Sequence, residues 1–290
     1  MSVQERMNAY WSRWADEYDA QQTARLRSED ARRTWRDVWE RALAPAATRP
    51  EVPREAPAPA AAPRKAAAEV AVPVARTGPP RVLDVLDVGT GSGNVALQVA
   101  ELGHRVTGID LAPGMLERAR AKATGGRVPI ADERAATSVS HFATADLRFL
   151  PGDAVAPPFA TGSFDAIVSR YVLWTLRDAG AALAAWRDLL RPGGIIAAVD
   201  SAWFPAGQDL GEGLAGERQA DFRHAYGDGT LEDLPLAAGR EDQVLSALES
   251  SGFTQVTVTP LQEVLDLDRR QGVAPGHHPQ LQMLYRAMRT

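Results

Sequence analysis

The chain has 290 residues, of which 45% are hydrophobic and 24% charged, and a formal net charge of −5. This is a globular composition, long enough for a full core, and its acidic balance argues against a nucleic-acid partner. The absence of cysteine excludes disulfides, thiolate metal sites and cysteine nucleophiles.

The opening MSVQERMNAYWSRWADEYDA has no apolar core of signal-peptide type. No stretch approaches the roughly 18 apolar residues of a membrane span. A soluble cytoplasmic protein without membrane contact is expected. Residues 2–43 read as helical. Trp11, Trp14 and Tyr18 stand at i, i+3 and i+7 on one face, and Trp35 and Trp39 at i and i+4. Residues 1–43 are expected to form an N-terminal helical lid.

Residues 44–80 are rich in proline and alanine and contain no aromatic residue. Proline at that density blocks helix and central strand alike, so a disordered linker is expected there. A domain is expected over 81–290, with insertions at about 124–145 and 201–240. Strands are read at 82–88, 105–110, 147–153, 164–170, 195–200 and 254–261. Helices are read at 94–103, at 113–123 after Pro113, at 180–194 up to Pro192-Gly193-Gly194, and at 241–253. Residues 280–289 suit a strand or a helix. This alternation predicts an α/β fold: a Rossmann-like, doubly wound, mostly parallel sheet of about seven strands with helices on both faces.

Leu86-Asp87-Val88-Gly89-Thr90-Gly91-Ser92-Gly93 sits where a strand hands over to a helix. Glycine serves such a loop by adopting positive φ and by letting a ligand approach the backbone. A tight turn or a dinucleotide loop would use the same residue type. Two details point instead to S-adenosylmethionine (SAM). The spacing is G-x-G-x-G, with Asn94 where the dinucleotide fingerprint has its third glycine. Asp87 would repel a pyrophosphate but attract the ammonium of a methionine moiety.

Asp110 closes the second strand about 20 residues past the loop, where a carboxylate binds ribose hydroxyls. It could equally cap the next helix. Leu111 and Met115 are candidates to pack on an adenine ring, and Asp153, beside Ala154, to accept from an exocyclic amine. Ligands of open α/β sheets bind outside the carboxyl ends of the strands, where these residues fall.

LDVGTGSG, VTGIDLAPGML, LPGDA, FDAIVSRYVLW and LLRPGG resemble the class I SAM-dependent methyltransferases, especially the branch acting on quinones and secondary metabolites. The likeness is strongest over 81–200, and WSRWADEYDA resembles the family's W-x-x-x-A-x-x-Y-D opening. The resemblance implies that Gly89, Thr90 and Gly91 line the methionine end of SAM. It implies that Asp110 holds the ribose, that Asp153 and Ala154 meet the adenine, and that Tyr18 closes over the cofactor. Ser169 and Arg170 would line the methionine end and the acceptor. The segments 44–80 and 124–145 are longer than the family needs.

Methyl transfer to O, N or C of a small, partly apolar acceptor is the expected reaction. Other SAM chemistry, such as cyclisation of its aminobutyrate chain, and SAM binding without turnover share the same cofactor residues. Arg170, Tyr171 and His224 are the candidates near the reacting atoms. Tyr10, Trp14, Tyr171, Trp174 and Trp203, with Phe204, are candidates for aromatic acceptor walls, or alternatively core residues. No carboxylate cluster suggests a metal. A monomer and a homodimer both remain open.

Overall fold

Short apolar runs alternating with amphipathic helices build a seven-stranded sheet in the computed structural model, which describes residues 1–48, 81–124, 146–204, 214, 216–273 and 278–290. The strands are β1 (Asp84–Val88), β2 (Arg105–Asp110), β3 (Leu147–Pro151), β4 (Phe164–Arg170), β5 (Leu190–Asp200), β6 (Thr254–Pro260) and β7 (Met283–Met288). Their order is β3-β2-β1-β4-β5-β7-β6. Pairing is parallel from β3 to β5, while β7 runs antiparallel to both β5 and β6. The chain steps outward from β1 through β2 to β3, then returns to the other side of β1 as β4. The strand order therefore reverses between β1 and β4, the switch point at which such sheets bind ligands.

Helices α1 (Val3–Arg13), α2 (Ala15–Arg25), α3 (Glu29–Ala47), α4 (Asn94–Glu101), α5 (Pro113–Ala123), α6 (Ala179–Leu189), α7 (Gly216–Tyr226), α8 (Glu241–Ser250) and α9 (Gln262–Gln271) complete the described fold. Successive strand residues point to opposite faces, so Val85, Val168 and Ala197 join α3, α4 and α9 in one core. Leu86, Ile167 and Ile196 join α6 and α8 in the other. Helices on both faces of a mostly parallel sheet are the expected architecture.

The single helical stretch read over 2–43 is three helices. Ser2 and Glu5 cap α1 reciprocally, and the Ser28 hydroxyl accepts from the Ala31 amide to start α3. Helix α3 packs on the sheet with Val38, Trp39 and Ala42 fully buried, whereas α1 contributes Gln4, Met7, Asn8 and Trp11 and α2 contributes Tyr18 to the wall of a cavity at the strand ends. Helix α3 also runs past residue 43, through Pro45. Pro45 has no N–H for the Arg41 carbonyl, and Arg286 donates to that oxygen at 3.4 Å.

The remainder of the expected linker, 49–80, lies outside the described residues, as do 125–145 of the first insertion and 205–213 and 215 of the second. The helix read over 180–194 ends at Leu189. Leu190 already pairs with Phe164, and the register shifts between Phe164 and Ala166 to take in the Pro-Gly-Gly turn. Helix α9 went unread, and residues 280–289 resolve as β7.

Candidate active site

The turn from β1 into α4 depends on glycine. Gly89, Gly91 and Gly93 have φ of +63°, +52° and +83°, a region that costs other residues about 1–2 kcal/mol. A Cβ on Gly89 would lie 2.5 Å from the Val172 side chain, so β4's exit packs directly on the loop. A Cβ on Gly91 would meet nothing within 4 Å among the described residues. Gly91 is therefore the point where the loop's backbone is open to a cavity.

Two carboxylates set the loop's shape. Asp87, 1% exposed, accepts through Oδ2 from the Thr90 hydroxyl at 2.6 Å and from the Ala96 amide at 3.1 Å. Among the described residues its buried Oδ1 has no hydrogen-bond partner. Burial pushes its pKa up to about 7, although the Thr90 hydroxyl, Arg170 and the Ala96 amide oppose that rise. Asp110 accepts from the Gly91 and Ala112 amides, each at 2.8 Å. Burial also raises its pKa, against the pull of these two amides.

Gly89, Gly91, Asp110, Leu111, Met115, Asp153, Ala154, Tyr18, Arg170 and Tyr171 all line one cavity of ≈ 140 Å³. Residues far apart in the chain thus converge on the switch point of the sheet. Thr90, Asp87 and Ser169 lie beneath that surface instead. Thr90 points back to Asp87, and Ser169 is fully buried, its hydroxyl without a partner among the described residues. Residues of α1 and of the segment after β4 complete the wall: Gln4, Met7, Asn8 and Trp11 on one side, Thr175 and Arg177 on the other. The sequence reading did not select these. The only hint was the aromatic spacing on α1, which cannot say which face is turned inward.

The chain leaves β4 through Tyr171, a non-glycine residue with φ +63°. Such a conformation in a bulky residue marks a structural constraint. It turns the Tyr171 ring onto the cavity, where its hydroxyl donates to Gln282 at 2.7 Å. The Gln282 amide donates in turn to Asp268, which pairs with Arg25 of α2. Burial raises the Tyr171 pKa, so the ring carries a neutral hydroxyl.

The proposed aromatic walls need correction. Tyr10, Trp174 and Phe204 are buried in a cluster with Phe222 and Tyr226 of α7, against which Trp14 and Trp203 pack. The Trp14 indole donates to Asp221, and that of Trp203 to Asp200. Of these candidates only Tyr171 lines the cavity, because the surfaces of the others are taken up in this cluster and its hydrogen bonds. His224 is also displaced: it is exposed on α7, its carbonyl accepting from Arg6. No histidine lines the cavity among the described residues. His104 is buried at the start of β2, accepting from the Leu83 amide, and His141 and His277 fall outside the described residues.

Helix α2 is held by charge. Lys122 of α5 bonds Asp19 of α2 at 2.5 Å and also reaches Asn94 at 3.0 Å and Ser92 at 3.3 Å, tying α2 to the start of α4. Arg218 of α7, 6% exposed, pairs with Glu17 at 2.5 Å. Among the described residues, no group of three or more His, Asp or Glu could hold a metal ion, and no helix is long and apolar enough to cross a membrane.

A doubly wound sheet, a glycine loop at its switch point and carboxylates at successive strand ends meet at one cavity. Residues 86–198 match the family model described as a methyltransferase domain. Over 191 residues the chain is 31% identical to an uncharacterized protein of Mycobacterium tuberculosis (strain H37Rv), covering 65% of this chain and 60% of that one. It is 39% identical over 116 residues to aklanonic acid methyltransferase DauC of Streptomyces sp. (strain C5), covering 39% of this chain and 46% of that one. It is 35% identical over 112 residues to demethylmenaquinone methyltransferase of Thermus thermophilus, covering 38% of this chain and 43% of that one. The chain thus spans less than two thirds of each of these relatives.

Proposed function

We propose that the protein transfers a methyl group from SAM to O, N or C of a small-molecule acceptor, of secondary-metabolite or quinone-like type. One observation carries the cofactor part. Among the described residues, Asp87 keeps a buried carboxylate oxygen without a partner beneath a loop whose Gly91 is open to the cavity. Buried there, its charge acts on the cavity through the loop and favours a cation above it, and the ammonium of a methionine moiety is such a group. The names of the Streptomyces and Thermus relatives, which act on aklanonic acid and on demethylmenaquinone, support the acceptor class.

In this reading Gly89 and Gly91 admit the methionine end, Asp110 accepts from the ribose hydroxyls, Leu111 and Met115 flank the adenine, and Asp153 with Ala154 meets its edge. Tyr18 covers the site from α2. Bound SAM supplies a methyl group already activated by the sulfonium. The protein's own task is to align donor and acceptor and to keep water out. Trp11, Met7 and Val172 supply apolar wall for that, and Tyr171 with Arg177 the polar points.

Product analysis tests the reaction type. Incubation with SAM and a panel of phenolic, quinol and carboxylic acceptors should release S-adenosylhomocysteine. Release of methylthioadenosine would mean attack on the aminobutyrate chain, and tight SAM binding with no product from any acceptor would favour a non-catalytic binding protein.

A further inference from the structure

We propose that Arg170 is the residue that anchors a ligand carboxylate in this site. The inference rests on the SAM-dependent reading above and adds the chemistry of one more contact. Arg170 lies at the end of β4 and lines the cavity. Its guanidinium sits 4.8 Å over the Trp35 ring and 5.1 Å over the Tyr171 ring. Rings packed against a guanidinium fix its plane and leave its N–H edge as the recognising surface.

That edge is underused. Arg170 makes one hydrogen bond within the described residues, a long one of 3.3 Å to Gln22, from a group with five donors. The neighbouring cations are all matched: Arg25 with Asp268, Lys122 with Asp19, Arg218 with Glu17, and Arg177 with Asp153. Arg170 alone among these cations forms no ion pair within the described residues. Its nearest electrostatic influences include the buried Asp87 and Asp268, but both carboxylates are engaged elsewhere. A half-buried, aromatic-clamped guanidinium with free donors facing a cavity is a site for a planar anion, and a carboxylate matches its fork with two parallel bonds.

Two ligands present a carboxylate here: the amino-acid end of the cofactor, and an acidic acceptor. Gln22 and Trp35 act as positioning residues in either case, since they hold the guanidinium and lie outside the cavity wall.

The test compares wild-type protein with Arg170→Leu and Arg170→Lys. The probes are S-adenosylhomocysteine, 5′-methylthioadenosine, which lacks the amino-acid end, and 1-naphthoate titrated into the S-adenosylhomocysteine complex. If the cofactor's carboxylate is held, Arg170→Leu weakens S-adenosylhomocysteine by about 10- to 100-fold, Arg170→Lys by less, and methylthioadenosine binds all forms equally. If an acceptor's carboxylate is held, S-adenosylhomocysteine is unaffected, and naphthoate binds the wild-type complex but not that of Arg170→Leu. Unchanged binding of all three probes, or equal loss of S-adenosylhomocysteine and methylthioadenosine, overturns the proposal. Methylthioadenosine binding also reports that the variant's site is folded. Failure of wild-type protein to bind either nucleoside would instead overturn the SAM-dependent reading itself.

Discussion

Gly114 of α5 lies directly beneath Ser12 of α1: a Cβ there would fall 2.5 Å from the Ser12 carbonyl oxygen and 3.0 Å from its Cα. The spacing of α1 from α5 is set by that backbone contact, because only glycine lets the two helices meet so closely. Gly114→Ala must push α1 away from α5. Helical propensity favours alanine by about 1 kcal/mol, so a gain in stability is expected if the contact were unimportant. The expected outcome is the opposite: a lower thermal midpoint and weaker binding of S-adenosylhomocysteine, measured by calorimetry on the same samples.

Gly91 offers a cleaner separation of fold from binding. Its φ of +52° makes Gly91→Ala cost about 1–2 kcal/mol in strain, yet its Cβ would meet nothing within 4 Å among the described residues. It would project into the space a ligand needs. Modest destabilisation with at least tenfold loss of S-adenosylhomocysteine affinity is expected. Gly89→Ala, whose Cβ collides with Val172, should be the more destabilising of the two in denaturant titration.

These loop residues were legible in the sequence because the glycine spacing, the strand before it and the acidic residue at the next strand end each carry a local signature. The alternation of β1 to β5 with helices was legible for the same reason. What was not legible depended on contacts between distant segments. Trp14, Trp174 and Trp203 looked like pocket walls, yet their partners are Asp221, Asp200 and the aromatic residues of α7. Nothing in their spacing distinguishes a core face from a cavity face. Helix α9 has no side-chain cap at Leu261, and its ten residues contain too few apolar positions to announce a helix. It is secured by tertiary burial of Val264, Leu265 and Leu267. Pro192 read as a helix terminator, but α6 had already stopped at Leu189 to pair β5 with β4.

Asp87 gives a pH prediction with a definite sign. Its folded pKa of about 7 lies above its ordinary value of 3.8, so the folded, ligand-free protein holds this proton more tightly than the unfolded chain. Its contribution to stability is therefore fully present below about pH 3.8 and is lost as pH rises through 7. The displacement corresponds to about 4 kcal/mol at most. Asp87→Asn should flatten this part of the stability profile between pH 4 and 7 in denaturant titrations.

The same carboxylate couples binding to protons. A ligand ammonium above the loop favours the ionised form of the carboxylate beneath it, so SAM binding should release a proton near pH 6–7. SAM affinity should accordingly rise from pH 6 to pH 8. Calorimetry in buffers of different ionisation enthalpy should detect the proton release, and Asp87→Asn should abolish it while weakening binding.

The buried network behind Tyr171 should matter more than its distance from the loop suggests. Asp268→Ala leaves Arg25, 22% exposed at its side chain, without its carboxylate, a change that typically costs about 3–5 kcal/mol when one partner of a buried pair is removed. It also frees Gln282 and hence the Tyr171 hydroxyl. A large loss of stability is expected. Gln282→Leu, which spares the ion pair, should be milder in stability and show its effect in acceptor turnover rather than in S-adenosylhomocysteine affinity.

Whether this site takes SAM is decided by calorimetric titration of the purified chain with SAM, S-adenosylhomocysteine and NADH, with Asp110→Ala as the paired variant. Micromolar binding of the first two ligands, none of NADH, and at least a tenfold loss in Asp110→Ala are the predicted results. Binding of NADH, or affinity for S-adenosylhomocysteine unchanged by loss of Asp110, would contradict the account.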